Sequence, residues 1–112
     1  MATQTTETDG VVSLGDDDID AIVRDGGLTL VEFYTEWCGS CQQMTPILER
    51  IAADTDATVL TIDVESNLET AIEFGAQSTP TIVLFADGRP VTQRRGAQTE
   101  QLLRDLVAEY SE

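Results

Sequence analysis

The stretch Trp37-Cys38-Gly39-Ser40-Cys41 limits the possible folds of this chain more than any other, because it holds both cysteines of the 112 residues. The apolar run Leu28–Tyr34 before it is rich in β-branched and aromatic residues, which is typical of a strand. After it, apolar residues recur with the spacing of one helix face, at Met44, Ile47, Leu48, Ile51 and Ala52. The cysteine pair is therefore predicted to lie where a strand ends and a helix begins.

A helix N-terminus favours thiol chemistry. The first turn has unpaired N–H groups and the positive end of the helix dipole, and both stabilise an anion. A thiolate is such an anion, and it is the form of cysteine that attacks a disulfide. Residues at i and i+3 lie on one side of a helical turn, so the two sulfurs can bond. We expect Cys38 to attack a disulfide and the more shielded Cys41 to resolve the resulting mixed disulfide.

Two other roles for the cysteines are open. A structural disulfide between them would close a very short ring, and the stabilisation from a disulfide grows with ring size. A metal site takes about four ligands. Two cysteines in a chain without histidine supply half of that number, so carboxylates or a second copy of the chain would have to complete it. The spacing favours redox chemistry, and no metal site is predicted.

A second motif, Ser78-Thr79-Pro80-Thr81, precedes an apolar run and the turn residues Asp87-Gly88. With Trp-Cys-Gly-x-Cys before it and Arg95-Gly96-Ala97 after it, the chain resembles the thioredoxin family from about Val11 to the C-terminus. The resemblance implies an α/β thioredoxin fold, a central mixed β-sheet flanked by about four helices. We expect residues 11–112 to form this domain and residues 1–10 to form a disordered, acidic and polar tail.

Glu32 is the anomaly of the predicted strand, since alternation places it on one side with Leu28 and Leu30. A carboxylate in an apolar strand is costly unless it is paired or functional, and burial raises its pKa toward neutrality. In thioredoxins a buried Asp six residues before the first cysteine relays the proton of the inner cysteine. The resemblance therefore implies this role for Glu32 toward Cys41, although the Lys that the family commonly places near this acid is replaced by Val59. The alternative is that the longer Glu side chain reaches solvent.

The resemblance also implies a surface that binds client proteins. In thioredoxins the bond corresponding to Thr79-Pro80 is cis and its loop faces the cysteines. The backbone N–H and C=O of Thr79 can then pair with an extended client segment. The other predicted substrate-binding residues flank the cysteines or leave room for the client chain, and they are Trp37, Gly39, Ser40 and Gly96.

The charge of the chain excludes several functions. Asp and Glu number 21 against six basic residues, all Arg, which gives a formal net charge of −15. A surface of this kind disfavours nucleic acid and anionic membranes, and the longest apolar runs are too short to span a bilayer. Acidic excess without Lys resembles proteins of salt-accumulating halophiles, because concentrated salt screens like charges.

The N-terminus lacks the pattern of a signal peptide. A protein with a single CxxC motif and no such signal is expected in the reducing cytoplasm.

We therefore expect a monomeric thiol–disulfide oxidoreductase without a tightly bound cofactor, which reduces client proteins and is itself reduced by a thioredoxin reductase. Ser40 stands where thioredoxins usually have Pro. The Ser40 hydroxyl can donate to a thiolate, and the turn without Pro is less rigid. Both effects favour the reduced form, which makes the Cys38–Cys41 couple more oxidising. A disulfide isomerase or weak oxidase is therefore one alternative. The other is a non-catalytic binding subunit that uses the surface around Trp37, Pro80 and Gly96, and it would keep its partners after both cysteines are replaced by Ser.

Overall fold

The computed structural model describes the backbone of residues 6–8 and 11–13, and the backbone and side chains of residues 27–111. Six strands form one sheet: β1 (Thr6–Thr8), β2 (Val11–Ser13), β3 (Leu28–Tyr34), β4 (Thr58–Asp63), β5 (Thr81–Ala86) and β6 (Arg89–Arg95). The helices of the described part are α1 (Gly39–Asp54), α2 (Leu68–Glu73) and α3 (Glu100–Tyr110). The acidic run Asp16–Asp18, followed by apolar residues with helical spacing, predicts a further helix, and this segment lies outside the described residues.

The sheet is mixed, in the order β1-β2-β4-β3-β5-β6. β3 pairs with β4 in parallel, and α1 connects them. β5 runs antiparallel to β3 on the other side and β6 antiparallel to β5, so β3 lies in the middle of the sheet. This arrangement confirms the predicted α/β fold with a central mixed sheet.

The prediction of a disordered tail over residues 1–10 does not hold at Thr6–Thr8, which form β1 and pair antiparallel with β2. β2 is not at the edge of the sheet, since it lies between β1 and β4. Thr8 pairs with Val11 across the sequence Asp9-Gly10.

Side-chain alternation divides the core into two clusters, one on each face of the sheet. Val31 and Phe33 of β3 point to the face with α2, where Phe74 packs edge-on against Phe85 at a centroid distance of 5.3 Å. Leu30 points to the opposite face. The residues of α1 and α3 that pack there are buried and apolar, namely Met44, Leu48, Ile51, Leu103, Leu106 and Val107. Glu32 shares the face of Leu30, so it lies beneath the helix that carries the cysteines.

Local sequence signals set the start of α3 and the turn between β5 and β6. The Thr99 hydroxyl caps α3 by accepting from the Leu102 N–H at 3.1 Å. Asp87 and Gly88 both have positive φ, 52° and 85°, which is the conformation of a two-residue hairpin turn. β6 begins directly after this turn, at Arg89, and Pro90 is its second residue. Proline is tolerated there because β6 is the last strand in the sheet order of the described residues, so one of its sides has no strand partner among them.

Candidate active site

The sheet register brings the predicted site segments to one end of the sheet, where β3 and β6 finish and β5 begins. Phe33 of β3 pairs with Thr81 of β5, and Thr81 pairs with Arg95 of β6. The segment that follows Phe33 holds the cysteines, the segment before Thr81 holds Thr79-Pro80, and Gly96 follows Arg95 directly. Three predicted parts of the site are therefore neighbours in space although they are distant in sequence.

Cys38 and Cys41 form a disulfide, with their Cα atoms 5.2 Å apart. Cys38 is the N-cap of α1, and its Sγ accepts a hydrogen bond from the backbone N–H of Cys41 at 3.1 Å. Cys38 is half-buried, whereas Cys41 lies in the first turn and is only 4% exposed. A sulfur at this N-terminus is stabilised as a thiolate by the N–H groups of the turn, and only one of the two sulfurs is open to a large substrate.

The residues around the cysteines leave Cys38 accessible. A Cβ added at Gly39 would meet no heavy atom within 4 Å. Trp37 is 82% exposed, which makes it the most exposed large apolar side chain of the described residues. The Ser40 Oγ lies 3.4 Å from the Cys38 Sγ, within hydrogen-bonding distance for sulfur. The predicted contact between the Ser40 hydroxyl and the Cys38 sulfur is therefore present.

The Thr79–Pro80 peptide bond is cis, as the resemblance implied. The loop is held next to the end of β6, because the Gly96 N–H donates to the Pro80 carbonyl at 2.7 Å. Gly96 has φ +86°, a conformation that favours glycine, and a Cβ there would point into open space. Within residues 27–111, the N–H and C=O of Thr79 make no backbone hydrogen bond. Both groups are therefore available to an extended chain that lies in this gap.

Glu32 is buried, with 3% of its surface exposed, so the alternative in which its carboxylate reaches solvent is wrong. Its Oε2 has no hydrogen-bond partner among the described residues. Burial raises the pKa of Glu32 from an ordinary 4.5 to about 8, since desolvation penalises the charged form. In the parallel register, Thr61 pairs with Glu32, whereas Val59 pairs with Leu30. No basic residue of the described chain offsets this desolvation.

A cavity of about 400 Å³ connects Glu32 with Cys41, since both line it. Tyr34 also lines it, and burial raises the pKa of Tyr34, with further upward shifts from the carboxylates of Asp63, Glu32 and Glu36. The other lining residues are mostly polar and come from the β3–α1 loop, α1 and β4, namely Thr35, Glu36, Gln42, Thr45, Leu48, Glu49 and Thr61. No pattern in the sequence predicted this cavity. The polar residues at 42, 45 and 49 do follow helical spacing, which indicates a shared face of α1.

Within the described part of the chain, no group of three or more Cys, Asp or Glu residues is arranged to hold a metal ion. No helix there is long and apolar enough to cross a membrane. The redox-active group is the disulfide itself.

Comparison with known proteins agrees with this geometry. The family model Thioredoxin matches residues 10–109. A thioredoxin of Staphylococcus saprophyticus is 35% identical over 102 residues, which cover 89% of this chain and 97% of the relative. A thioredoxin of Chlamydia muridarum is 39% identical over 85 residues, which cover 75% of this chain and 83% of the relative. A solved thioredoxin variant from Halobacterium salinarum NRC-1 superimposes with a TM-score of 0.89, at 39% identity, over 97% of each chain. The chain therefore belongs to the thioredoxin family, and its Cys38–Cys41 pair makes it a thiol–disulfide oxidoreductase.

Proposed function

We propose that Cys38 is the attacking and Cys41 the resolving cysteine in the reduction of client disulfides. The observation that carries this assignment is the contrast between the half-buried N-cap sulfur and the buried sulfur one turn later. The Cys38 thiolate attacks one client sulfur, forms a mixed disulfide and releases the other client sulfur as a thiolate. The Cys41 thiolate then attacks the Cys38 sulfur. This step forms the Cys38–Cys41 disulfide and releases the second client thiolate, so two electrons pass to the client.

Glu32 is the proton acceptor for Cys41 in this scheme. Both residues line the same cavity, so one or more water molecules can bridge them. A free thiol has a pKa near 8.5, and the pKa of Glu32 is raised to about 8 by burial. Proton transfer between groups of similar pKa costs little free energy. An ordinary, exposed carboxylate would be much too weak a base for this transfer.

The gap between Cys38 and the Thr79-Pro80 loop is the binding surface for the client. The free backbone groups of Thr79 add a short strand pairing to an extended client segment, and Gly96 lets that segment pass close to β6. Trp37, Gly39 and Ser40 border the same gap next to Cys38. The exposed Trp37 ring supplies apolar contact area, as aromatic residues commonly do at protein interfaces.

The family implies two kinds of partner, client proteins with disulfides and a thioredoxin reductase that restores the dithiol. We place the protein in the cytoplasm as a monomer. It binds neither nucleic acid nor membranes, because its net charge of −15 repels phosphate groups. The same acidity, together with the likeness to the Halobacterium salinarum thioredoxin, supports work in concentrated salt. The contact between Ser40 and Cys38 favours a couple somewhat less reducing than that of a Gly-Pro member.

The order of attack can be tested with single-cysteine variants and a client protein that contains one exposed disulfide. Cys41→Ser should accumulate the mixed disulfide, which is detected as a covalent adduct on non-reducing gels. Cys38→Ser should form no such adduct, because the buried Cys41 cannot reach the client. Adducts with Cys38→Ser and none with Cys41→Ser would reverse the two roles.

A further inference from the structure

The cavity beside Cys41 has a polar mouth and a buried floor. Glu36, Gln42 and Thr45 are exposed and form its outer rim. Glu32, Leu48 and Cys41 are buried and form its inner wall. Its volume of about 400 Å³ is within the range of small-molecule sites and far above the space of a single water molecule. It can therefore accept a whole functional group rather than one ion.

The charges of this cavity are one-sided. Three carboxyl groups line it, those of Glu32, Glu36 and Glu49, and no basic side chain of residues 27–111 does. The nearest arginine in sequence, Arg50, is already paired with Glu100 at 2.7 Å. Arg104 is paired with Asp54 and with Glu100. The described chain thus leaves the negative potential of the cavity without an internal counter-charge.

Glu32 gives a second and independent indication of a ligand. Its side chain is almost entirely buried, it lines the cavity, and its Oε2 has no hydrogen-bond partner. Buried acceptors are nearly always satisfied, because an unsatisfied one lowers the stability of the folded state. Water or an N–H donor that enters the cavity can satisfy this oxygen, and a charged N–H donor makes the stronger hydrogen bond.

We propose that the cavity binds a guanidinium or alkylammonium group through the carboxylates of Glu36 and Glu49 and a carboxyl oxygen of Glu32. A metal ion is the weaker candidate, since no three acidic or cysteine side chains of the described residues are arranged to hold one. An organic cation fits better because its several N–H donors can reach acceptors that lie apart. The hydroxyl and amide groups of Thr45 and Gln42 complete the rim. Such a cation has two sources, a basic side chain of the client or a free amine.

Binding is tested on the oxidised full-length protein, which separates this proposal from catalytic turnover. Methylguanidinium chloride is titrated at constant ionic strength while backbone amide shifts are followed by NMR. Tetramethylammonium chloride is the reference, because it has the same charge and no N–H donor. We expect saturable shifts at Thr35, Gln42 and Thr45 with methylguanidinium alone.

Charge-removing variants localise the site. Glu49→Gln and Glu36→Gln should each weaken methylguanidinium binding about two- to fivefold, the effect of one partly exposed ion pair. Glu73→Gln, which removes the same charge from an exposed position of α2 outside the cavity, should leave binding unchanged. Shifts that do not saturate, that tetramethylammonium reproduces, or that Glu49→Gln leaves intact would overturn the proposal.

A pair of peptide disulfides, one with Arg and one with Gln beside the reactive cysteine, distinguishes the two sources. Faster reduction of the Arg peptide that is lost in Glu49→Gln assigns the site to a client side chain. Equal reduction of both peptides, with methylguanidinium binding retained, assigns it to a free amine.

Discussion

Replacing Glu32 with Gln should stabilise the protein by an amount that grows with pH. Burial raises the pKa of Glu32 from 4.5 to about 8, so the unfolded chain releases this proton at much lower pH than the folded protein does. Between these two values the folded state binds more protons than the unfolded state. The free energy of unfolding of the native protein therefore falls as pH rises through this window.

The size of the change in the free energy of unfolding follows from the pKa shift of Glu32. Each pKa unit corresponds to about 1.4 kcal/mol. Ionisation of Glu32 in the unfolded state therefore costs the native protein about 3 kcal/mol of stability by pH 7, and at most about 5 kcal/mol above pH 9. Gln has nearly the shape of Glu but does not titrate. Whatever fixed cost its amide carries at this site is the same at every pH.

Urea unfolding of the oxidised protein measures this effect from pH 5 to pH 9 at constant salt. The disulfide-bonded cysteines do not titrate in this form, and the remaining titrating groups are common to native protein and variant. Glu73→Gln, at an exposed position, is the matched control and should run parallel to the native protein. A difference between Glu32→Gln and native protein that stays constant over this range would refute the reasoning.

Three further substitutions test separate parts of the structure. Ser40→Ala removes the hydroxyl 3.4 Å from the Cys38 sulfur and should make the couple about 10–30 mV more reducing in a redox-buffer titration; an unchanged potential would contradict a role for this contact. Thr99→Ala removes the cap of α3 and should lower the free energy of unfolding in urea by about 1 kcal/mol, whereas Thr99→Ser should retain most of it. Gly96→Val forces a branched residue to φ +86° and should cost about 1–2 kcal/mol in stability. The same variant should slow reduction of a protein disulfide more than that of a small disulfide, and equal slowing of both would place Gly96 outside the client surface.

The parts of the site that could be predicted from sequence depend on local chemistry. A strand, a CxxC motif and a helical face follow one another without interruption, so the N-terminal position of Cys38 on α1 needed no knowledge of the tertiary structure. Alternation along β3 likewise placed Glu32 with Leu30, and the structure buries both on that face. Thr79-Pro80 and Gly96 required the family resemblance, because their closeness arises from strand pairing far apart in sequence.

The features that sequence did not predict depend on packing between elements. The residue directly opposite Glu32 is one example, since the register pairs Glu32 with Thr61 and places Val59, where the family commonly has Lys, opposite Leu30. The cavity is a second example, because its lining residues come from three elements. Tyr34 lies on β3, Glu49 on α1 and Thr61 on β4, and no local pattern encodes how these elements pack. The strand at Thr6–Thr8 was missed because a short polar segment has little hydrophobic pattern.

The reduction potential of the Cys38–Cys41 couple tests the central claim most directly. Equilibration of the full chain with redox buffers in molar salt, followed by quantification of free thiols, gives this value. We expect a reversible two-electron couple whose potential lies closer to about −270 mV, typical of thioredoxin, than to about −180 mV, typical of protein disulfide isomerase. A value near or above about −180 mV would contradict a reductase role, and the absence of any reversible couple would contradict redox function altogether.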